Sequence, residues 1–152
     1  MIPPLDDGVL PEGIYDCTID EIEDRFGRIQ GSDWRCTLTA QLREYLKEVW
    51  KCGFIKAVIV DGSYVTAKDR PDDIDILVVL PADFDIRAEL LPMEYNLTQK
   101  KGLKRQFKFN FDLVAHPDGS ELYNEFLDLF SRVRPDVAYT TKSRKGMLRI
   151  RR

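Results

Sequence analysis

The chain has 152 residues, the length of one domain able to bury about two thirds of its unfolded surface. Hydrophobic residues make up 43% and charged residues 32%, and no apolar run nears the ~18 residues of a membrane span, so a membrane-spanning helix is not expected. Net charge is −3 but unevenly spread: residues 1–33 carry nine acids and two bases, residues 100–108 five bases and no acid, residues 142–152 six bases and no acid. Such asymmetry either pairs an acidic N-terminus with a basic face or leaves a basic face for a polyanion.

Residues 1–16 are rich in Pro and Gly. They read as an extended N-terminal arm of a single domain spanning 1–152, docked through Ile2, Leu5, Val9, Leu10 and Ile14. The opening MIPPLDDG lacks the basic and apolar regions of a signal peptide. Cys17, Cys36 and Cys52 are odd in number and lack metal-site spacing. Together these predict a cytoplasmic protein with unpaired thiols packed structurally. Thr18 and Glu21 form a capping-box pattern, predicting a short helix that buries Ile19, Ile22 and Phe26 and stops at Gly27. Ser32 or Asp33 can cap a longer helix over 34–52. Its apolar stripe is Trp34, Leu38, Leu42, Tyr45, Leu46, Val49 and Trp50, at three- and four-residue spacing, and reads as core.

The stretch 55–80 organises the chain. An apolar run, 57–60, ends at Asp61-Gly62-Ser63; a polar connection with Lys68, Arg70 and Pro71 follows; Asp73-Ile74-Asp75 then opens a second apolar run, 76–80. Both runs read as buried strands. Alternation puts Asp73 and Asp75 on one face, about 6.6 Å apart along the strand. Two such carboxylates need a partner against repulsion and desolvation, and a divalent metal ion serves. Gly62 lets backbone approach a ligand, and a helix beginning at Ser63 would add its positive terminus to an anion site.

Beyond Pro81, a helix carrying Ile86, Leu90 and Leu91 is expected to break near Pro92, with another short helix over 93–101. Lys100, Lys101, Lys104 and Arg105 form a basic cluster. Over 107–115, Phe107, Phe109 and Phe111 alternate with Lys108, Asn110 and Asp112, predicting a strand with the rings on one face and Asp112 on the other. His116 reads as structural or exposed. Ser120 caps a predicted helix to Arg132. A basic C-terminal tail, about 136–152, follows; Met147, Leu148 and Ile150 point to a final strand or docked extension. Lys142, Arg144 and Lys145 are candidate contacts for triphosphate or acceptor, or simply solvated tail.

An apolar strand, Gly62-Ser63, a linker, Asp73-x-Asp75 on the next strand and Asp112 on a further one resemble the core of the polymerase β-like nucleotidyltransferase superfamily. The resemblance covers roughly 55–115, less than half the chain. It implies an α/β (α+β) fold, a small mixed sheet flanked by helices. It also implies transfer of a nucleotide monophosphate from an NTP to an acceptor hydroxyl. Asp73, Asp75 and Asp112 would be the catalytic and metal-binding set, holding magnesium (manganese is the alternative). Two ions about 3.5–4 Å apart would serve the acceptor and the leaving pyrophosphate. Gly62 and Ser63, with Lys68, would hold the triphosphate. The acceptor is expected to be a protein partner or RNA, because no second helical substrate domain is visible. The alternative from another class is a non-catalytic nucleotide- or nucleic-acid-binding module, such as an antitoxin.

Overall fold

The computed structural model describes residues 1–29 and 33–152; the cap assigned to Ser32 lies outside the described residues. The fold is mixed α/β of the α+β kind: one five-stranded mixed sheet flanked by five helices. Chain order is β1 (Ile14–Asp16), α1 (Ile19–Ile22), α2 (Asp33–Val49), β2 (Ala57–Asp61), β3 (Ile74–Leu80), α3 (Pro92–Thr98), α4 (Lys100–Gln106), β4 (Phe111–Pro117), α5 (Glu121–Ser131) and β5 (Met147–Arg151). Spatial order is β1-β5-β2-β3-β4. β2 runs antiparallel to β3 and β5, while β1–β5 and β3–β4 are parallel. Among the described residues, no helix is long and apolar enough to cross a membrane.

Period-two alternation builds two cores. One face of the sheet presents Val58, Val60, Ile74, Ile76, Val78, Leu113, Leu148 and Ile150, and packs with Ile22, Phe26, Leu38, Leu42, Tyr45, Leu46, Val49, Leu97 and Leu103. The other presents Ala57, Ile59, Leu77, Val79 and Met147 to Tyr123 and Phe130 of α5. A single eleven-residue helix lies on this second face. Its apolar rows end where the strands turn acidic.

The capping box forms as expected: the Thr18 N–H donates to Glu21 Oε2 (2.8 Å) and the Glu21 N–H to Thr18 Oγ1 (3.2 Å). The short helix continues as a π-helical turn to Gly27, burying Ile22 and Phe26. α2 ends at Val49, earlier than the 34–52 expected, because its last residues close into tighter turns (Cys52 N to Val49 O, 3.0 Å). The arm docks through Ile2, Val9 and Leu10 and contributes β1 to the sheet edge.

Three expectations are corrected. Residues 86–91 form no helix: Asp85 Oδ1 accepts the Arg87 N–H (2.9 Å), closing a local turn, and Ile86 and Leu91 are exposed. A side chain that captures nearby backbone competes with helix propagation. Pro92 opens α3 at its first position instead of ending a helix, where its missing N–H costs nothing. The segment 93–101 is therefore divided between α3 and α4, with Gln99 extended between them. Strand β4 starts at Phe111, not at 107, because Phe107 ends α4 and Lys108 has φ +57°. The three rings still form one row, with centroids 5.2 Å apart at each step.

Candidate functional site

Three aspartates stand in a line across three neighbouring strands. Asp61, the last residue of β2, is registered with Asp75 of β3, and Asp75 with Asp112 of β4. Direct cross-strand partners share a face. All three therefore project on the α5 side, beyond the rows that α5 covers. Asp73 lies two residues before Asp75. With Gly62, Ser63 and Lys68 these aspartates line one cleft of about 620 Å³. Of the three tail cations offered as triphosphate or acceptor contacts, Lys145 lines this cleft as well, whereas Lys142 and Arg144 are engaged elsewhere by Asp6 and Asp128.

The line is graded in burial. Asp61 is fully buried and Asp112 half exposed, with Asp75 between. Burial pushes the Asp75 carboxyl up to about 7, and repulsion from Asp73, Asp61 and Asp112 adds to it. Burial, then Asp112 and Asp72, also raises Asp73. Burial pushes Asp61 up to about 6, with Lys145 pulling the other way. The Lys145 ammonium is itself buried and donates both to Asp61 Oδ1 and to the Phe130 carbonyl (2.8 Å). The Lys100 ammonium, at the start of α4, donates to Asp112 Oδ1 at 2.8 Å.

Gly62 is required by its surroundings. Its φ is +88°, and a Cβ there would stand 2.9 Å from Asp75 Oδ2 and 3.3 Å from the Asp75 nitrogen. A side chain would therefore displace the central carboxylate. After it, residues Ser63–Val65 make only one 3-10 turn. The helix dipole expected at Ser63 is thus reduced to backbone N–H groups. The loop is held from beneath by Arg35 of α2. Its guanidinium is fully buried and donates to the carbonyls of Tyr64 (2.7 Å), Thr66 (2.8 Å), Lys68 (2.6 Å) and Phe26 (3.0 Å). Thr39 Oγ1 and the Tyr64 hydroxyl share a further bond of 2.6 Å.

Asp61, Lys145 and Arg35 carry roles that the sequence reading did not give them. Arg35 had a legible signal. It precedes Leu38 by three and Thr39 by four, which puts a cation on the buried stripe of α2. Asp61 shares parity with Ala57 and Ile59 at the end of an apolar strand, another signal available from spacing. Lys145 had none, since its partner lies 84 residues away.

Carboxylate oxygens are the right donors for a hard divalent cation, and the Asp75 carboxyl, raised first by burial and then by its acidic neighbours, would be relieved by such a cation. Among the described residues, no three His, Cys, Asp or Glu side chains are grouped closely enough to hold an ion. Asp73 and Asp75 offer one pair of ligands. Asp112 would have to exchange Lys100 to join them. Phe126, Leu129, Val133 and Tyr139 also line the cleft, and Arg132 and Arg134 add cations.

Residues 3–151 match the model of a family described as "Family of unknown function (DUF6932)". No curated protein and no solved structure matches the chain.

Proposed function

The chain belongs to the DUF6932 family, whose function is unknown, and from its cleft we propose a metal-dependent nucleotidyltransferase that moves a nucleotide monophosphate from an NTP to an acceptor hydroxyl. The observation that carries this reading is the registered row Asp61–Asp75–Asp112, flanked by Asp73 and by a glycine that leaves no room for a Cβ beside the central carboxylate. A purely structural row of acids would be expected to carry a cation beside each member. Here Asp61 and Asp112 have one each, while Asp75 meets mainly other carboxylates.

Asp73, Asp75 and Asp112 would hold magnesium, or manganese in its place. The bound ion would neutralise triphosphate charge and make the acceptor hydroxyl more acidic. Gly62 and Ser63 would lie against the triphosphate, with Lys68 and Arg134 supplying charge from the same cleft. Asp112, on the open side, would orient the acceptor hydroxyl. The acceptor oxygen bonds to the α-phosphorus, the bond to pyrophosphate breaks, and the hydroxyl proton leaves toward the Asp112 carboxylate. Arg35 acts as a positioning residue, fixing the loop that carries Ser63 and Lys68. Most of the catalytic effect would be positioning and charge stabilisation. Three free thiols suit a reducing cytoplasm.

Titration of each NTP by calorimetry, with and without magnesium, tests the cleft. Binding that needs magnesium and is lost in Asp73→Asn/Asp75→Asn is expected. Equal affinity in wild type and double variant would sink the reading. The Lys100–Asp112 pair favours a second reading, a nucleotide-binding module without turnover. Incubation with labelled NTP and candidate proteins or RNAs separates the two, since only an enzyme passes the label on.

A further inference from the structure

We propose that the exposed face of α3 and α4 is a seat for single-stranded nucleic acid, and that this polyanion is the acceptor presented to Asp112. The proposal rests on the nucleotidyltransferase reading for its second half only. Two independent observations carry it.

The first is where the chain's positive charge goes. α4 reads KKGLKRQ and buries only Gly102 and Leu103. Among the described residues, Lys101 and Lys104 have no ion-pair partner, and Arg105 reaches only Asn96 Oδ1 at 3.3 Å. No acid occurs from Lys100 to Phe111. In a chain of net charge −3 this is a local reversal of sign, and its cations are unspent. Lys100, on the same helix, donates to Asp112. The positive face therefore runs up to the open end of the acidic row.

The second observation is apolar and aromatic. Tyr95 of α3 is 44% exposed, and its ring packs over Gly102, where a Cβ would meet Tyr95 Cδ1 at 3.3 Å. Tyr95 and Arg105 share a groove of about 490 Å³. Ile86, Leu91 and Met93 are exposed as well. Arg105 lines the groove with Tyr95, and Lys101 and Lys104 lie outside it on the same helix; cations that track a phosphodiester backbone, with an aromatic face for bases, are what sequence-tolerant single-strand binding requires. Duplex recognition would call for an element that fits a groove, and seven-residue helices beside a tyrosine offer none. An acidic protein segment would use the cations and leave Tyr95 idle.

The test is fluorescence anisotropy of the full chain with a fluorescein-labelled single-stranded RNA of about 12 nucleotides. Wild type should bind, and binding should weaken with added salt. Lys101→Gln/Lys104→Gln should lose roughly tenfold in affinity, with the slope of log affinity against log salt reduced by about 1.4 for the two contacts. Tyr95→Ala should lose about fivefold or more. Lys101→Arg/Lys104→Arg should retain binding. Unchanged affinity in the Gln and Ala variants, or polyglutamate binding as tightly as RNA, would overturn the proposal. Magnesium-ATP titrations of the same variants keep the two readings apart. Intact ATP binding with indifferent RNA binding removes the seat alone. Absent ATP binding with RNA binding that still depends on Lys101 and Lys104 removes the cleft's nucleotide and upholds the seat.

Discussion

Residues 100–108 and 142–152 look alike in sequence, two basic runs with no acid, and the fold treats them oppositely. Every cation of the second run is spent. Lys142 pairs with Asp6 (3.2 Å), Arg144 with Asp128 (3.1 Å), Lys145 with Asp61, and Arg149 and Arg151 with Asp16 (2.6 and 3.3 Å). Arg152 donates to the carbonyls of Cys52 (2.9 Å) and Trp50 (2.7 Å). Met147–Arg151 is also an interior strand, bonded to β1 on one side and β2 on the other. The first run lies mostly on a short surface helix, and among the described residues only Lys100, paired with Asp112, has an ion-pair partner. The acids of residues 1–33 pair within the fold, as one branch of the composition argument had it. Asp6 and Asp16 pair with the tail, Asp20 and Glu23 pair with Arg43 of α2, and among the described residues none of them pairs with α4. A charge run therefore becomes a ligand surface only when the acids that could neutralise it fold elsewhere.

The largest effect comes from deleting residues 142–152. That removes β5 from between β1 and β2, with the buried Met147, Leu148 and Ile150. No cooperative unfolding transition should remain, as read by calorimetry or circular dichroism. A tail that served only as a basic extension would leave the transition in place. Neutralising Lys101 and Lys104 should move the same transition by less than about 0.5 kcal/mol.

The two runs also mark what sequence alone can carry. Elements defined by local pattern were legible: the buried strands around 57–60 and 76–80, the Thr18 capping box, the apolar stripe of α2, and α5 with its Ser120 cap (Tyr123 N–H to Ser120 Oγ, 3.2 Å). So was the placement of Gly62, Ser63, Asp73, Asp75 and Asp112 in one cleft, because parity and order bring them together. The rest depended on competition between local choices. Asp85 captures backbone where helix periodicity ran on, and Lys108 takes a left-handed turn inside an apparent strand. The Lys145–Asp61 pair and the Arg35 clasp join residues far apart in the chain, and spacing holds no record of the first.

The next effect separates a buried from an exposed lysine. Lys145→Met leaves the Asp61 carboxyl enclosed without its cation, so that it must stay charged and unpaired or take up a proton. Breaking one side of such a pair costs about 3–5 kcal/mol. Lys145→Met/Asp61→Leu should recover much of that, since both charges then leave the interior. Chemical denaturation of the single and double variants measures the difference. A double variant no more stable than the single would mean that packing, not charge, holds this corner.

The acidic row adds a pH dependence of known sign. The folded Asp75 carboxyl lies near 7, above its usual value of 3.8. The folded state thus holds a proton that the unfolded chain releases. That stabilisation is complete below about pH 4 and is lost as pH rises through 7. Asp75→Asn should remove this slope. Between pH 5 and 8, wild type should lose stability relative to the variant by on the order of a few kcal/mol. Parallel pH profiles for the two proteins would show that Asp75 ionises normally.

The smallest effect falls on the residue that joins the first basic run to the acidic row. Lys100 sits on the unspent helix, yet its ammonium is already engaged by Asp112, with both side chains about half exposed (47% and 54%). An exposed pair of this kind contributes at most about 1 kcal/mol. Lys100→Gln should therefore barely alter unfolding in urea. Its effect on metal binding should have the opposite sign from that of losing a ligand. A cation that occupies Asp112 competes with any metal for the same oxygen, so removing it should tighten manganese binding by a factor of a few. The ceiling is the roughly fivefold that 1 kcal/mol represents. Asp112→Asn, by contrast, should weaken it. Manganese titration followed by electron paramagnetic resonance reads both variants without turnover. Weaker manganese binding in Lys100→Gln would mean that the lysine holds Asp112 in place for the metal, and the competition argument would fall.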